Sequence, residues 1–433
     1  MMLVMGVFWA GAVTAAEPPE LEGDYLLAPD TVFSITRAGP RLYGCLTGWA
    51  TPEVMQASAS TWYLPAYDTT LRFRREAGKG APHPLVERYR ETAMGRPTGG
   101  SHCAWPTGVS VEARLLRAIP AYMARYHCPA VSLAIIRQRA IVWHHEFGVQ
   151  AATRPVRIDE NTVFEACSMG KALFAYRALM LVDAGRLDLD RPLNEYLTAP
   201  WAPEAPETAQ ITARMALQHT TGLPNWRSGR LRMVAPPGRR HTYSGEGITF
   251  LQRVVETLCG RPIDELMRDD LLQPLGMRRS SYRWREEYGA NQALGHDPLG
   301  RCRAGRRFLR ANAASTLYST PLDFARYLLL MMDPRPPAAL AISHQLRNEM
   351  LSPRALPSGQ VTFGLGWELY RESGERICYV FHVGANKGFR CQARFYPETG
   401  DGLVIMTNSD NGRDLYERVI EMVFPSSIPR AGH

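Results

Sequence analysis

The sequence predicts an α+β protein: an antiparallel sheet with a helical insert, preceded by a small antiparallel β domain. Three observations predict it. Short alternating apolar runs split by Gly, Pro and Asp fill residues 25–89. Strand-like periods then appear early, at 130–147, and return late, between 364 and 407. Between them, from Ser168 to Met332, helical spacing and loops dominate. Strands at both ends of one segment can share a single sheet when the helical middle is an excursion from it.

In chain order, residues 1–16 form an apolar run ending in Ala10-Gly11-Ala12-Val13-Thr14-Ala15-Ala16 before Glu17. That is how a signal peptide's apolar core and cleavage site read, so export to a periplasmic or secreted location is expected. The basic head of a signal is missing, and a buried terminal strand or a short anchor fits the run as well. Residues 20–94 are expected to form the small β module, with runs such as Phe33-Ser34-Ile35-Thr36, Leu42-Tyr43-Gly44-Cys45-Leu46 and Leu71-Arg72-Phe73-Arg74. A stretch rich in Gly, Pro and Ser at 95–110 reads as a linker, and 111–430 as the main domain. There, 115–126 has helical spacing, 130–136 and 140–147 form a hairpin closed at Arg137-Gln138-Arg139, and strands are expected at 364–370, 377–383, 389–396 and 402–407. No internal repeat is present.

Composition excludes several function classes. The net charge of +8 is carried by arginine, since Lys79, Lys171 and Lys387 are the only lysines among 50 cationic residues. The arginines are scattered and no nucleic-acid motif accompanies them, so no nucleic-acid partner is expected. The eight cysteines show no C-x-x-C pair and no zinc-finger spacing. His144-His145-Glu146 point to alternate faces of a strand, and Asp183, Asp188 and Asp190 suit turns and caps, so neither group is expected to bind a metal. Neither G-x-S-x-G nor a complete phosphate-binding glycine loop occurs. No cofactor is expected, and the pattern selects no oligomeric state.

Chemistry concentrates in three segments. Phe164-Glu165-Ala166-Cys167-Ser168-Met169-Gly170-Lys171 runs into an apolar helix, with Ser168 expected at its opening. The i, i+3 spacing brings the Lys171 amine towards the serine oxygen. A buried lysine loses its proton more readily and can act as base to an otherwise weak hydroxyl nucleophile. Tyr243 lies on the loop Pro236–Gly247 that enters a helix at 248–258, where its phenol could relay a proton if nearby positive charge lowers its pKa. Phe381-His382-Val383-Gly384-Ala385 ends a strand. There Gly384 suits close approach of a substrate backbone, and the Ala385 and Ser168 N–H groups could form an oxyanion hole.

These three elements, in this order, resemble the S-x-x-K, Tyr-x-Asn and Lys/His-x-Gly motifs of the penicillin-binding protein and class C β-lactamase superfamily. Supporting segments look familial too: Leu217–Leu223 (LQHTTGL), Gln273–Met277 (QPLGM), and Ala385–Phe389 leading to Met406-Thr407-Asn408. The likeness spans about 115–424. It implies a β-lactamase/transpeptidase-like fold, Ser168 as nucleophile, Lys171 and Tyr243 sharing acid and base work, and His382 at the start of a substrate-facing strand. The β module is similar to a domain that usually follows the catalytic domain in such proteins; here it comes first.

Two departures bear on the substrate. Gly245 stands where the family has an asparagine that contacts a substrate amide. His382 stands where lactamases and transpeptidases have a lysine that faces a carboxylate. The His-x-Gly form is similar to esterases and D-amino-acid peptidases of the superfamily, while Lys387 and Arg390 are candidates to restore a carboxylate site. The implied activity is acyl-enzyme hydrolysis of a small ester, amide or D-alanyl peptide, with the β module contacting the cell envelope. The alternative is a sensor or scaffold of the same fold that binds penicillin or peptidoglycan and turns over slowly or not at all.

Overall fold

The computed structural model describes residues 110–353, 361–371 and 377–425, together with seven short strands between residues 23 and 72. The apolar run at 1–16 and the linker at 95–109 lie outside the described residues. The chain divides into two compact units, one built from the N-terminal part up to Ser110 with Pro120–Arg125, the other from Val111–Ile119 with Tyr126 onwards.

In the first unit, β1 (Gly23–Ala28), β2 (Thr31–Ala38), β3 (Arg41–Leu46) and β4 (Glu53–Val54) form one antiparallel sheet in sequence order. β5 (Gln56–Ser58), β6 (Thr61–Leu64) and β7 (Thr69–Arg72) form a second.

The second unit begins with the first part of α1 (Val111–Arg125), the stretch Val111–Ile119, in which Leu115 and Ile119 are buried. It continues through β8 (Ala130–Arg137), β9 (Ala140–Ala151) and β10 (Arg154–Arg157). The β8–β9 turn is tight because Gln138 and Arg139 both adopt positive φ, 49° and 63°, as two-residue hairpins require. The helical excursion holds β11 (Phe164–Cys167), α2 (Gly170–Asp183), α3 (Ala213–Leu217), α4 (Gly245–Cys259), α5 (Ile263–Met267), β12 (Leu317–Ser319), α6 (Pro321–Met332) and α7 (His344–Met350). The chain then returns through β13 (Val361–Phe363), β14 (Glu368–Arg371), β15 (Ile377–Asn386), β16 (Phe389–Tyr396) and β17 (Asp401–Thr407), and closes with α8 (Gly412–Val423).

One sheet in the order β10-β9-β8-β17-β16-β15-β14-β13 joins the early hairpin to the late strands. β17 is the seam, pairing with β8 in the register Val404↔Ala134 and with β16 as Val404↔Ala393. The α+β arrangement expected from the strand distribution is therefore present. α6 and α8 pack against the sheet strands, while α2 is buried from Gly170 through Leu179, the signature of a helix enclosed by its own domain.

Two details differ from the sequence reading. The strand expected at 364–370 starts at Glu368, because Gly364 to Trp367 turn sharply against α2. A Cβ on Gly366, which has φ 82°, would lie 2.3 Å from Ala175 Cβ. Ser168 does not open α2 itself; it sits in a turn before Gly170, closed by the Lys171 N–H donating to the Ser168 carbonyl. Six cysteines among the described residues, Cys128, Cys167, Cys259, Cys302, Cys378 and Cys391, are free thiols. No helix among the described residues is long and apolar enough to cross a membrane.

Candidate active site

The turn carrying Ser168 is bent at its entry, where Cys167 holds φ at 57° although it is not glycine. Such backbone persists where surrounding structure over-determines it. Here β11 pairs with β12 (Glu165↔Tyr318), Tyr282 donates its hydroxyl to the Gly170 carbonyl, and Gly170 leaves room for that ring, since a Cβ would meet Tyr282 Cε1 at 2.9 Å. The nucleophile turn is thus clamped on both sides. The Ser168 N–H makes no hydrogen bond among the described residues, and Ala385, near the end of β15, is exposed.

Lys171, 1% exposed, lies with Nζ 3.0 Å from Ser168 Oγ and donates to the Ala314 carbonyl at 2.6 Å. Burial pushes its ammonium down to about 7, with Cys167 and Glu368 opposing weakly. A neutral amine at this position can take the serine proton. Tyr243 lies on the other side of Ser168, hydrogen-bonded to it, with Lys171 Nζ 4.8 Å from the ring centre. The sequence reading looked to positive charge to lower the Tyr243 hydroxyl; burial instead raises it. At neutral pH the phenol keeps its proton, so in this arrangement Lys171 can accept a proton and Tyr243 can donate one.

His382 is fully buried. Its Nδ1–H donates to the Val383 carbonyl at 2.8 Å, and Nε2 has no partner among the described residues. Burial, reinforced by the Lys171 cation, lowers it to about 3. His382 is therefore neutral and cannot face a carboxylate as a cation would. Gly384 has a role the sequence reading did not foresee. A Cβ there would meet the Ala166 carbonyl oxygen at 2.4 Å, so this glycine lets β15 press against the turn that carries Ser168.

Gly245 is the first residue of α4, capped by the Ser244 hydroxyl that accepts from Gly247 N–H at 2.9 Å. No hydrogen bond or ion pair joins Lys387 or Arg390 to Ser168, Lys171 or Tyr243 among the described residues. Arg390 is turned to Asp410 at 3.0 Å and to the carbonyls of Asn386 and Phe389. Lys387, exposed at the hairpin tip, lines a cavity of about 200 Å³ with Arg303, Arg306 and Glu165. Elsewhere, His144 pairs with Glu146 at 3.3 Å and Asp190 with Arg214 at 2.6 Å, and no cluster suited to a metal occurs among the described residues.

The structure adds three residues. His219, with φ 56°, accepts the Ser244 N–H on Nδ1 at 3.1 Å and the Thr242 N–H on its carbonyl at 2.7 Å. Burial keeps it well below the ordinary histidine range. Glu165, 4% exposed, accepts from Arg306 and Asn386 at 2.7 Å each. Glu368 accepts the Val383 N–H, and burial raises its carboxyl to about 7. His219 and Glu165 fall inside segments whose likeness was visible in the sequence; their hydrogen bonds were not. Glu368 had no signal at all, because its partner lies on the next strand.

The family model described as Beta-lactamase matches residues 115–421. Penicillin-binding protein 4 of Amycolatopsis lactamdurans is 26% identical over 320 residues, which cover 66% of this chain and 83% of that protein. Protein flp of Staphylococcus aureus (strain MW2) is 20% identical over 309 residues, covering 65% of this chain and 60% of its own length. A β-lactamase/D-alanine carboxypeptidase from Pseudomonas syringae superposes with a TM-score of 0.64 at 18% identity, over 74% of this chain and 99% of that one, a likeness of fold.

Proposed function

The chain belongs to the beta-lactamase family, and on that premise we propose that it is a serine hydrolase that forms an acyl-enzyme on Ser168 and hydrolyses a small ester or amide. The observation that carries this reading is the 3.0 Å approach of a fully buried Lys171 Nζ to Ser168 Oγ. Neutral Lys171 accepts the serine proton as Oγ attacks the substrate carbonyl, and the oxyanion is held by the Ser168 and Ala385 N–H groups. Tyr243 gives its proton to the departing alkoxide or amine and is reprotonated from Lys171, so the serine proton ends on the leaving group. Water then repeats the sequence on the acyl-enzyme.

A D-alanyl peptide of the cell wall is within this substrate class, and a periplasmic or secreted location would suit it. Intact-mass spectrometry after exposure to a fluorophosphonate, a p-nitrophenyl ester and penicillin, with Ser168→Ala alongside, tests the reading. A serine-dependent phosphonyl adduct with ester turnover supports it. A penicilloyl adduct that accumulates without turnover favours a sensor, and no adduct from any probe removes Ser168 as nucleophile.

A further inference from the structure

We infer that Trp226 forms the acyl-side wall of the Ser168 site, and that the substrate's acyl group is apolar and carries no amide next to its carbonyl. The inference rests on the acyl-enzyme reading above and narrows its substrate.

Gly245 stands two residues beyond Tyr243, at the first turn of α4. A Cβ at this position would lie 2.7 Å from Trp226 Cη2, 2.9 Å from Cζ2 and 2.8 Å from the Asn225 carbonyl oxygen. Real Cβ atoms do not approach other atoms so closely, so no side chain can project here while the indole is in place. The indole therefore occupies the space a side chain at Gly245 would fill, and Gly245 itself offers no side-chain donor or acceptor.

That indole is 47% exposed, yet its backbone is strapped to α4 from both sides. Ser244 Oγ donates to the Pro224 carbonyl at 2.8 Å, Gly245 N–H to Asn225 Oδ1 at 2.9 Å and Glu246 N–H to the Asn225 carbonyl at 3.1 Å. Arg227 binds Glu246 through both its backbone N–H, at 3.2 Å, and its Nε, at 2.8 Å. A tryptophan whose backbone is fixed but whose ring stays half open is pre-organised to stack on a flat or branched apolar group, with little ordering left to do on binding. A substrate amide at the same place would lose its water without gaining a partner from this wall. The neutral His382 supplies no cation, and Arg390 is engaged by Asp410, so a charged acyl arm is not favoured either.

The full chain would be assayed with p-nitrophenyl acetate, butyrate, phenylacetate and N-acetylglycinate, as wild type, Trp226→Ala and Trp226→Phe. In the wild type, kcat/KM should rank phenylacetate and butyrate above N-acetylglycinate by about tenfold or more. Trp226→Ala should lower the phenylacetate-to-acetate ratio about tenfold, and Trp226→Phe should keep most of it. A wild type that prefers the N-acetylglycinate, or a Trp226→Ala that lowers all four esters in proportion, overturns the inference. Fluorophosphonate labelling separates the two levels of reading. A Ser168 adduct in all three proteins, with the wrong ester ranking, removes only the Trp226 wall; no adduct in the wild type removes the nucleophile and this inference with it.

Discussion

The His219 imidazole lies 4.3 Å from the Tyr243 ring, centre to centre, while its Nδ1 accepts the N–H of Ser244. One side chain thus packs on the Tyr243 phenol and pins the residue after it, so the phenol's aim at Ser168 depends on a histidine that burial holds well below the ordinary range. His219→Ala should leave the Ser244 N–H unpaired and open a gap beside Tyr243, costing about 1–3 kcal/mol in stability and lowering kcat more than it raises KM. His219→Asn, whose amide oxygen can accept the same bond, should recover part of the loss. Ester kinetics with thermal melts of both variants checks this.

Lys171 predicts the pH profile. Its amine is neutral above about 7, so kcat/KM for a neutral ester should fall as pH drops below 7 and level off above it. Lys171→Met should abolish turnover, by about 10³-fold or more. A profile that keeps its inflection after a rate-impairing Tyr243→Phe change, and again after Glu368→Gln, whose carboxyl is also raised to about 7, would assign it to Lys171.

The same residue predicts a stability effect. The folded amine is depressed to about 7 from an ordinary value of 10.5, so between those limits the unfolded chain holds a proton that the folded chain has released. Unfolding free energy of the wild type should therefore rise with pH in that window, by up to about 1.4 kcal/mol per pH unit relative to Lys171→Met, and run parallel to it below pH 7. Urea melts at pH 6, 7.5 and 9 would show it; parallel curves throughout would mean the amine is charged in the folded state.

Gly384→Ala should be damaging at a distance from any substrate. Its Cβ would collide with the Ala166 carbonyl, forcing β15 and the Ser168 turn apart and costing about 1–3 kcal/mol. Acylation should slow with it, because Ala385 moves with the strand. Stopped-flow fluorophosphonate labelling, compared with circular dichroism, distinguishes a displaced strand from an unfolded one.

Glu165 ties the nucleophile strand to Asn386 and Arg306. Glu165→Ala removes the acceptor of two hydrogen bonds and should destabilise by about 1–3 kcal/mol. Arg306→Ala should cost less, since the arginine side chain is 42% exposed and the buried carboxyl can take up a proton instead. Chemical denaturation of the two variants at neutral pH gives the comparison.

What was legible in the sequence follows from what is local. The hairpin of Ala130–Phe147, the late strands and the apolar α2 announce themselves through period and turn residues, because side-chain alternation and helical spacing are set within a few positions. Ser168 and Lys171 share one helical turn, so their approach was readable from i, i+3 spacing. The raised hydroxyl of Tyr243, the neutral ring of His382 and the close approach of Gly384 to Ala166 come from desolvation and close packing between segments far apart in sequence. Glu368 meets Val383 across two strands, and Trp226 fills the space above Gly245 across a loop; each depends on where distant backbone comes to rest. The chain's pattern determined the α+β fold and the placing of Ser168 and Lys171 within one turn, while tertiary burial decided which groups hold protons and what fills the space beside Gly245, because both depend on packing and the removal of water, which no single segment controls.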